Sequence, residues 1–380
     1  MKTNKLKDCV QFLDEKRIPL SSTQRNKLKK VYRYYGAQGI IDYVDNYIFD
    51  GDYILVAEDG NNLKSLNMPI ATWVTGKFWV NNHAHILGRK NGYNLKYIYY
   101  LLNFLDLRGF VTGSAQPKLN QENLSNISLS LPNIDIQNKV VSLLSVLDSK
   151  IEINNAISQQ LESMSKTIYD YWFLQFEFPN EEGKPYKSSG GKMVWNEELQ
   201  QEIPVGWTSA KLKDIIIENP KSKIKVSDVK NDGEIPFFTS GTDILSTNES
   251  IVSGLNCYLN TGGNADVKYY YGEASYSTDT WCITAENETK YILPFVLNKI
   301  KPSMDKVFFQ GTGLRHLQKN LLREYQFYLP DSNVVKEFSK LASDIFKKQH
   351  NLLKENKKLE SLKQFLLPLL MNGQVTINEK

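Results

Sequence analysis

Between residues 134 and 174, apolar side chains recur every three or four positions: Val140, Leu144, Leu147 and Ile151, then Ile157, Leu161, Met164, Ile168 and Tyr171. A helix with 3.6 residues per turn places such positions on one face, so the segment reads as a single long helix carrying an apolar seam. Residues 332–370 repeat the pattern with Phe338, Leu341, Ile345, Leu352, Leu359, Leu362, Leu366 and Leu369, while Lys347, Lys348, Lys354, Lys357 and Lys358 fall off the seam. Pro368 should end this second helix or kink it. About 35 helical residues at 1.5 Å each give a rod on the order of 50 Å. Two such seams in one chain can bury each other, and because a globular region lies between them the expected pairing is antiparallel. Asn154 interrupts the first seam, and two readings stay open: a buried Asn that fixes register, or a position off the seam.

Elsewhere the apolar runs are short. Tyr53-Ile-Leu-Val-Ala57, Phe78-Trp-Val80 and Cys282-Ile-Thr284 read as strands, separated by turn signals such as Asp59-Gly60-Asn61 and Thr261-Gly-Gly-Asn264. Helix is expected at 95–105 and 292–300, with single turns at 120–124 and 318–322. The fold class that follows is α+β: mixed α/β globules joined by two long antiparallel helices forming a coiled coil.

The chain also repeats itself, which decides how many globules there are. Gly113-Ser-Ala-Gln-Pro-Lys-Leu119 is echoed by Gly311-Thr-Gly-Leu-Arg-His-Leu317, an offset of 198. At that offset Leu124 meets Leu322, Leu131-Pro132 meets Leu329-Pro330, Lys150 meets Lys348, and Leu161-Glu162-Ser163 meets Leu359-Glu360-Ser361. Upstream, Leu6-Lys7-Asp8 faces Leu212-Lys213-Asp214 at an offset of 206. The division is therefore a first module at 1–133, a long helix at 134–174, a linker at 175–206, a second module at 207–331, a long helix at 332–370 and a tail at 371–380. The first module starts at the N-terminus, so a C-terminal strand at 374–377 is expected to complete it.

Composition narrows the class without naming it. The 380 residues are 41% hydrophobic, 12% aromatic and 23% charged, as in a folded protein, and the net charge of +4 is modest. Its distribution is less even: residues 1–33 hold ten Lys and Arg (Lys2, Lys5, Lys7, Lys16, Arg17, Arg25, Lys27, Lys29, Lys30, Arg33) against Asp8, Asp14 and Glu15. Such a stretch can bind phosphates or simply be solvated. No apolar signal core opens the chain and no apolar run approaches a membrane span, so the cytoplasm is the expected location. Cys9, Cys257 and Cys282 are too few and too scattered for a disulfide framework or zinc knuckle.

The repeated 113–132 and 311–330 blocks resemble the specificity subunits of type I restriction-modification systems. So do the helix end Tyr169-Asp-Tyr-Trp-Phe173, the linker Phe176-Glu-Phe-Pro-Asn-Glu-Glu-Gly-Lys-Pro-Tyr-Lys-Ser-Ser-Gly-Gly191, and Glu202-Ile-Pro-Val-Gly-Trp207. The resemblance implies that each module is a target-recognition domain reading one half of a split DNA site, with the paired helices as a ruler. It also implies that the helices dock two adenine-methylating modification subunits, with ATP-driven restriction subunits completing the nuclease. On that reading S-adenosylmethionine, ATP and magnesium belong to the partners, and this chain is a non-catalytic reader.

A reader needs polar side chains on a rigid scaffold, with Lys and Arg holding phosphates. Gln116 and Lys118 in the first module, and Arg315 and His316 in the second, lie in the matching Gly-led loops and are candidate DNA contacts, with a role in the domain–helix junction as the alternative. Lys77, Arg89 and Lys90 are further candidates, and Gly262 and Gly263 either admit a phosphate close to the backbone or make a tight turn. Leu147, Ile151, Leu161, Ile345, Leu352 and Leu359 are the candidate partner-binding positions on the helices. Tyr269-Tyr-Tyr271 can stack on a flipped base or fill core. His83 and His85 share a strand face, as metal ligands do, but without a third ligand a structural role is expected.

The sequence contains no Gly-x-x-x-x-Gly-Lys-Ser/Thr loop, no Gly-x-Gly-x-x-Gly and no Gly-x-Ser-x-Gly. Asn219-Pro220 is followed by Lys221-Ser222, not by the Pro and aromatic residue of amino-methyltransferases. Two rivals remain: a protein-binding scaffold, which leaves two diverged modules without a purpose, and a stand-alone enzyme, which lacks an assembled acid, base or metal set.

Overall fold

The computed structural model describes residues 2–64, 69–113 and 116–375. The chain divides into two compact units, one made of Met1–Ile151 with Lys357–Lys380 and the other of Glu152–Asn356. Each unit is therefore a module plus parts of both long helices.

In the first unit, six strands lie in the order Gln11–Phe12, Ala84–Gly88, Phe49–Ala57, Ala71–Val80, Tyr32–Gly36 and Gly39–Val44. All neighbours are antiparallel except Tyr32–Gly36, which runs parallel to Ala71–Val80. Alternate residues of a strand face opposite sides. Ile54 and Val56 accordingly enter one core with Leu87 and the helix α1 (Leu95–Phe104), while Leu55 enters the other with Tyr35, Phe49, Val74, Phe78 and Ile86. Asn94 caps α1 by accepting from the Tyr97 amide at 3.1 Å.

The second unit uses two smaller sheets. Ile216–Glu218, Thr280–Ala285, Leu255–Asn260 and Val267–Tyr271 form one, all antiparallel. Ile244–Thr247, Ile235–Phe238 and Ser275–Tyr276 form the other, the last pair parallel. The hairpin of 235–247 thus repeats the topology of the 32–44 hairpin, an antiparallel pair laid parallel on a third strand. The expected helix at 292–300 runs further, as Leu293–Val307, with Pro302 inside it.

The duplication is visible in the ladders. Lys2–Lys5 pairs with Ser128–Leu131, and Thr208–Lys211 with Gln326–Leu329, so Lys2 faces Leu131 as Thr208 faces Leu329. These pairs carry the two sequence offsets, 206 on one strand and 198 on the other. The Leu6 amide donates to the Ile127 carbonyl at 2.8 Å, and the Leu212 amide to the Tyr325 carbonyl at 2.9 Å. Gln121–Ser125 and Lys319–Arg323 are the expected single turns.

With α1 and the 293–307 helix, α2, in place, the long helices are α3 (Ile134–Tyr169, 36 residues) and α4 (Ser332–Met371, 40 residues). Pro368 neither ends α4 nor removes the three residues after it from the helix. In the first unit Val140, Leu144 and Leu147 are buried, and the Lys363 ammonium meets Asp148 Oδ1 at 2.6 Å. In the second, Asn154 lies opposite Asn356, Ser158 opposite Gln349 and Tyr169 opposite Phe338, so within that unit the helices run antiparallel.

Asn154 belongs to the seam. Its Nδ2 donates to Asn356 Oδ1 at 2.8 Å and to Glu355 Oε2 at 2.9 Å, and Asn356 Nδ2 donates to Asn155 Oδ1 at 2.8 Å. Buried amides bonded across the seam specify a register, since sliding a helix would break these bonds.

Four positions assigned to the seam face outward instead: Met164, Tyr171, Leu341 and Leu362 are all exposed. Their places are taken by smaller neighbours in two cases, Ser165 beside Met164 and Ala342 beside Leu341, each only 1% exposed. One residue along a helix is a turn of about 100°, so burying Ser165 and Ala342 turns the larger side chains away. The strand expected at 374–377 falls partly on 376–377, outside the described residues.

Candidate nucleic-acid interface

Thr112 pairs with Lys118 in the first unit as Gln310 does with His316 in the second, and one basic side chain of each loop meets a carboxylate of its own unit. In the first, Lys118 pairs with Thr112 by two 2.8 Å backbone bonds and bridges to Asp59, while its ammonium reaches Glu58 Oε1 at 3.0 Å. The next residue, Leu119, donates its amide to the Glu58 carbonyl at 2.8 Å and accepts from His85 Nε2 at 2.7 Å. His85, 1% exposed, in turn meets Asp14 Oδ2 at 2.6 Å through Nδ1. Burial alone would raise the Glu58 carboxyl, but Arg17 and Lys118 outweigh it and hold it below its ordinary value. In the second unit Gly262 bridges to His316, the Gly263 amide donates to the Arg315 carbonyl at 3.0 Å, and Arg315 Nη1 donates to the Asp305 carbonyl at 3.1 Å.

The structure therefore brings Gly262, Gly263, Arg315 and His316 together, with Gly263 at φ +80° making the turn. Gln116 is exposed beside Lys118. Arg89 is 71% exposed and lies 3.8 Å from Asp52, and Lys90 donates to the Lys7 carbonyl at 3.2 Å.

Lys77 sits in another setting. Its ammonium lies 4.6 Å from the centre of the Tyr47 ring, which is 5.2 Å from that of Tyr32. The hydrogen bond with Tyr47 is the main reason the lysine is held above its ordinary pKa, and so fully charged. Arg33, next to Tyr32, lies over the Tyr35 ring and donates to the Thr75 carbonyl. Gly51 faces Gly76 across the ladder; both are exposed and have positive φ, +129° and +76°. Tyr32 and Tyr47 were not among the sequence candidates, although Tyr32-Arg33-Tyr34-Tyr35 follows directly on the basic stretch and carried the signal.

Other candidates resolve into structure. Tyr269, Tyr270 and Tyr271 form the strand Val267–Tyr271, where the Tyr269 hydroxyl donates to Glu162 Oε1 at 3.2 Å and Tyr270 lies 3.1 Å from His350 Nδ1. All three are half-buried, with these contacts made to the long helices. His83 meets Asp59 at 2.6 Å, so each imidazole of the His83-Ala-His85 pair faces its own carboxylate. No group of three metal-ligating side chains occurs among the described residues. All three cysteines are buried, and burial pushes the Cys282 thiol up to about 12, which leaves it a protonated apolar group.

The six positions expected to bind partners lie on the two long helices. Leu147, Ile345 and Leu352 are buried, and Ile151, Leu161 and Leu359 are half-buried, in the seam of the chain's own helices. Apolar residues on the helices that reach solvent include Val146 and Phe365 in the first unit, and Ile153 and Leu353 in the second. No helix among the described residues is long and apolar enough to cross a membrane.

Comparison with known proteins gives a consistent result. The family model described as type I restriction modification DNA specificity domain matches twice, over residues 1–163 and 204–364. The chain is 24% identical over 317 residues to the MjaIX specificity subunit of a type I restriction enzyme from Methanocaldococcus jannaschii, covering 76% of this chain and 71% of that one. It is 22% identical over 347 residues to the HindI specificity subunit from Haemophilus influenzae, covering 68% and 71%. The crystal structure of the S subunit of a type I restriction-modification system from M. genitalium shares the fold, with a TM-score of 0.60 at 15% identity over 100% of this chain and 96% of that one.

Proposed function

The chain belongs to the type I restriction-modification DNA specificity family, and from that premise we propose that its two modules each read one half of a split DNA site. Recognition of DNA sequence follows from the family; the division of the site between modules is our reading. The observation that carries it is the double match of one specificity-domain model to two modules with the same ladders and different sequences. Two readers of one scaffold but different side chains suit two different half-sites. A protein-only scaffold would leave that divergence without a use.

The helices act as an antiparallel coiled-coil ruler between the modules, with the Asn154–Asn356 pair holding their register. They dock two modification subunits through apolar residues that face water, Val146 and Phe365 in one unit and Ile153 and Leu353 in the other. The chain has no catalytic step of its own: S-adenosylmethionine, ATP and magnesium are held by modification and restriction subunits, and the complex works in the cytoplasm. The loops carrying Gln116, Lys118, Arg315 and His316, ion-paired through Lys118 and Arg315, position the modules, while Arg89 and Lys90 serve phosphates.

Inserting the same number of whole helical turns into α3 and α4 tests the ruler. Methylation mapping should then return the original two half-sites with a longer spacer. Altered half-sites, with the complex assembled, would contradict the modular reading.

A further inference from the structure

The two modules serve as each other's control. What both keep, a basic residue after the Gly-led turn, is ion-paired within its own module, Lys118 to Glu58 and Arg315 to Asp305. Modules that read different half-sites should carry their readers where their sequences differ. The hairpin that both share in topology differs in sequence and loop: Tyr32–Gly36 and Gly39–Val44 are joined by two residues, Ile235–Phe238 and Ile244–Thr247 by five.

We infer that the DNA-contact surface of the first module is the end of this hairpin: Tyr32, Tyr47 and Lys77, with Arg33 beside them. Three independent features converge there. Lys77 is an exposed, fully charged ammonium held over the ring of Tyr47, which fixes its position for a phosphate. The Tyr32 and Tyr47 rings are half-buried and lie against each other, so they are rigid while their edges still reach water. The Gly51–Gly76 pair leaves the sheet bare next to Lys77, and nothing lies within 4 Å of where a Gly76 side chain would begin. Paired glycines within strands mark places where another backbone comes close.

The local charge also fits a polyanion. Lys27 and Lys29 are exposed in the segment leading into Tyr32, and Asp50, opposite Lys77 in the ladder, is the acid facing this end. Asp42, on the same hairpin, is neutralised by Arg25 and Lys30, whose bonds hold its carboxyl at about 2.

This surface rests on the DNA-reading function, and the test separates the two. The full chain, assembled with its modification subunits, is titrated against a labelled duplex carrying the mapped split site and against a scrambled duplex, at several salt concentrations. Tyr47→Ala/Lys77→Ala should weaken binding to the site by about tenfold or more and lower the salt slope by about one. Tyr47→Phe/Lys77→Gln, which keeps the ring packing, should lose the same slope, and Lys184→Ala, an equal loss of charge in the linker, should change neither. Both double variants binding as wild type would overturn this surface and leave the function standing. A wild-type complex that does not distinguish the two duplexes would overturn the function, and this surface with it.

Discussion

Phe338→Ala is expected to destabilise the chain by about 3–5 kcal/mol, the range for deleting a buried phenyl ring. Phe338 is 1% exposed at the centre of an aromatic cluster, 4.9 Å from Phe173, 5.8 Å from Phe295, 5.9 Å from Trp172 and 6.1 Å from Tyr169, ring centre to ring centre. Edge-to-face pairs add to area burial, and the neighbours cannot all close into the space a ring leaves. Phe365→Ala on the same helix is the contrast. With that ring 66% exposed, its removal should shift stability by no more than about 0.5 kcal/mol while weakening assembly with the modification subunits. Denaturant unfolding and co-purification check both. A Phe338→Ala variant as stable as wild type would mean that the cluster does not hold the helix end.

Asp14→Ala should cost about 1–3 kcal/mol for each buried group it strands, the His85 ring and the Ile86 amide. A carbonyl can only accept, so the 2.7 Å contact from His85 Nε2 to the Leu119 carbonyl puts a proton on Nε2. At Nδ1 the ring meets Asp14 Oδ2 at 2.6 Å. Asp14 Oδ1 also accepts from the Ile86 amide at 2.9 Å. Removing the carboxylate strands the ring and that amide together. Asp14→Asn keeps an acceptor and should cost less. Hydrogen exchange should show the loosening around 116–119 and in the Ala84–Gly88 strand. Unchanged protection there, with unchanged stability, would remove this network as the anchor of the loop.

Much of the architecture was legible because it is written as periodicity. The offsets 198 and 206 read from the sequence reappear in the strand ladders, since duplicated strands keep duplicated partners. The long helices follow from the spacing of three and four, and Asn154 resolved to the buried alternative once Asn356 was found opposite it. What the spacing could not supply was the choice between neighbours one residue apart. Met164 and Leu341 are the more apolar, yet Ser165 and Ala342 are buried, because close approach selects small side chains.

The site was less legible for a related reason. A Gly-led loop with a cation reads as a ligand contact, but Glu58 and Asp305, which hold Lys118 and Arg315, are 60 and 10 residues away in sequence. Tyr47, just before the Phe49–Ala57 strand, meets Lys77 only because that strand pairs with Ala71–Val80. Charges show in a sequence, whereas their partners show only after folding.

Sequence recognition is tested most directly by expressing the modification subunits with and without this chain and mapping methylated adenines across the host DNA. A split motif of constant spacing that appears only when the chain is present is the predicted result. The same motif without the chain, or no motif from an assembled complex supplied with methyl donor, would contradict it.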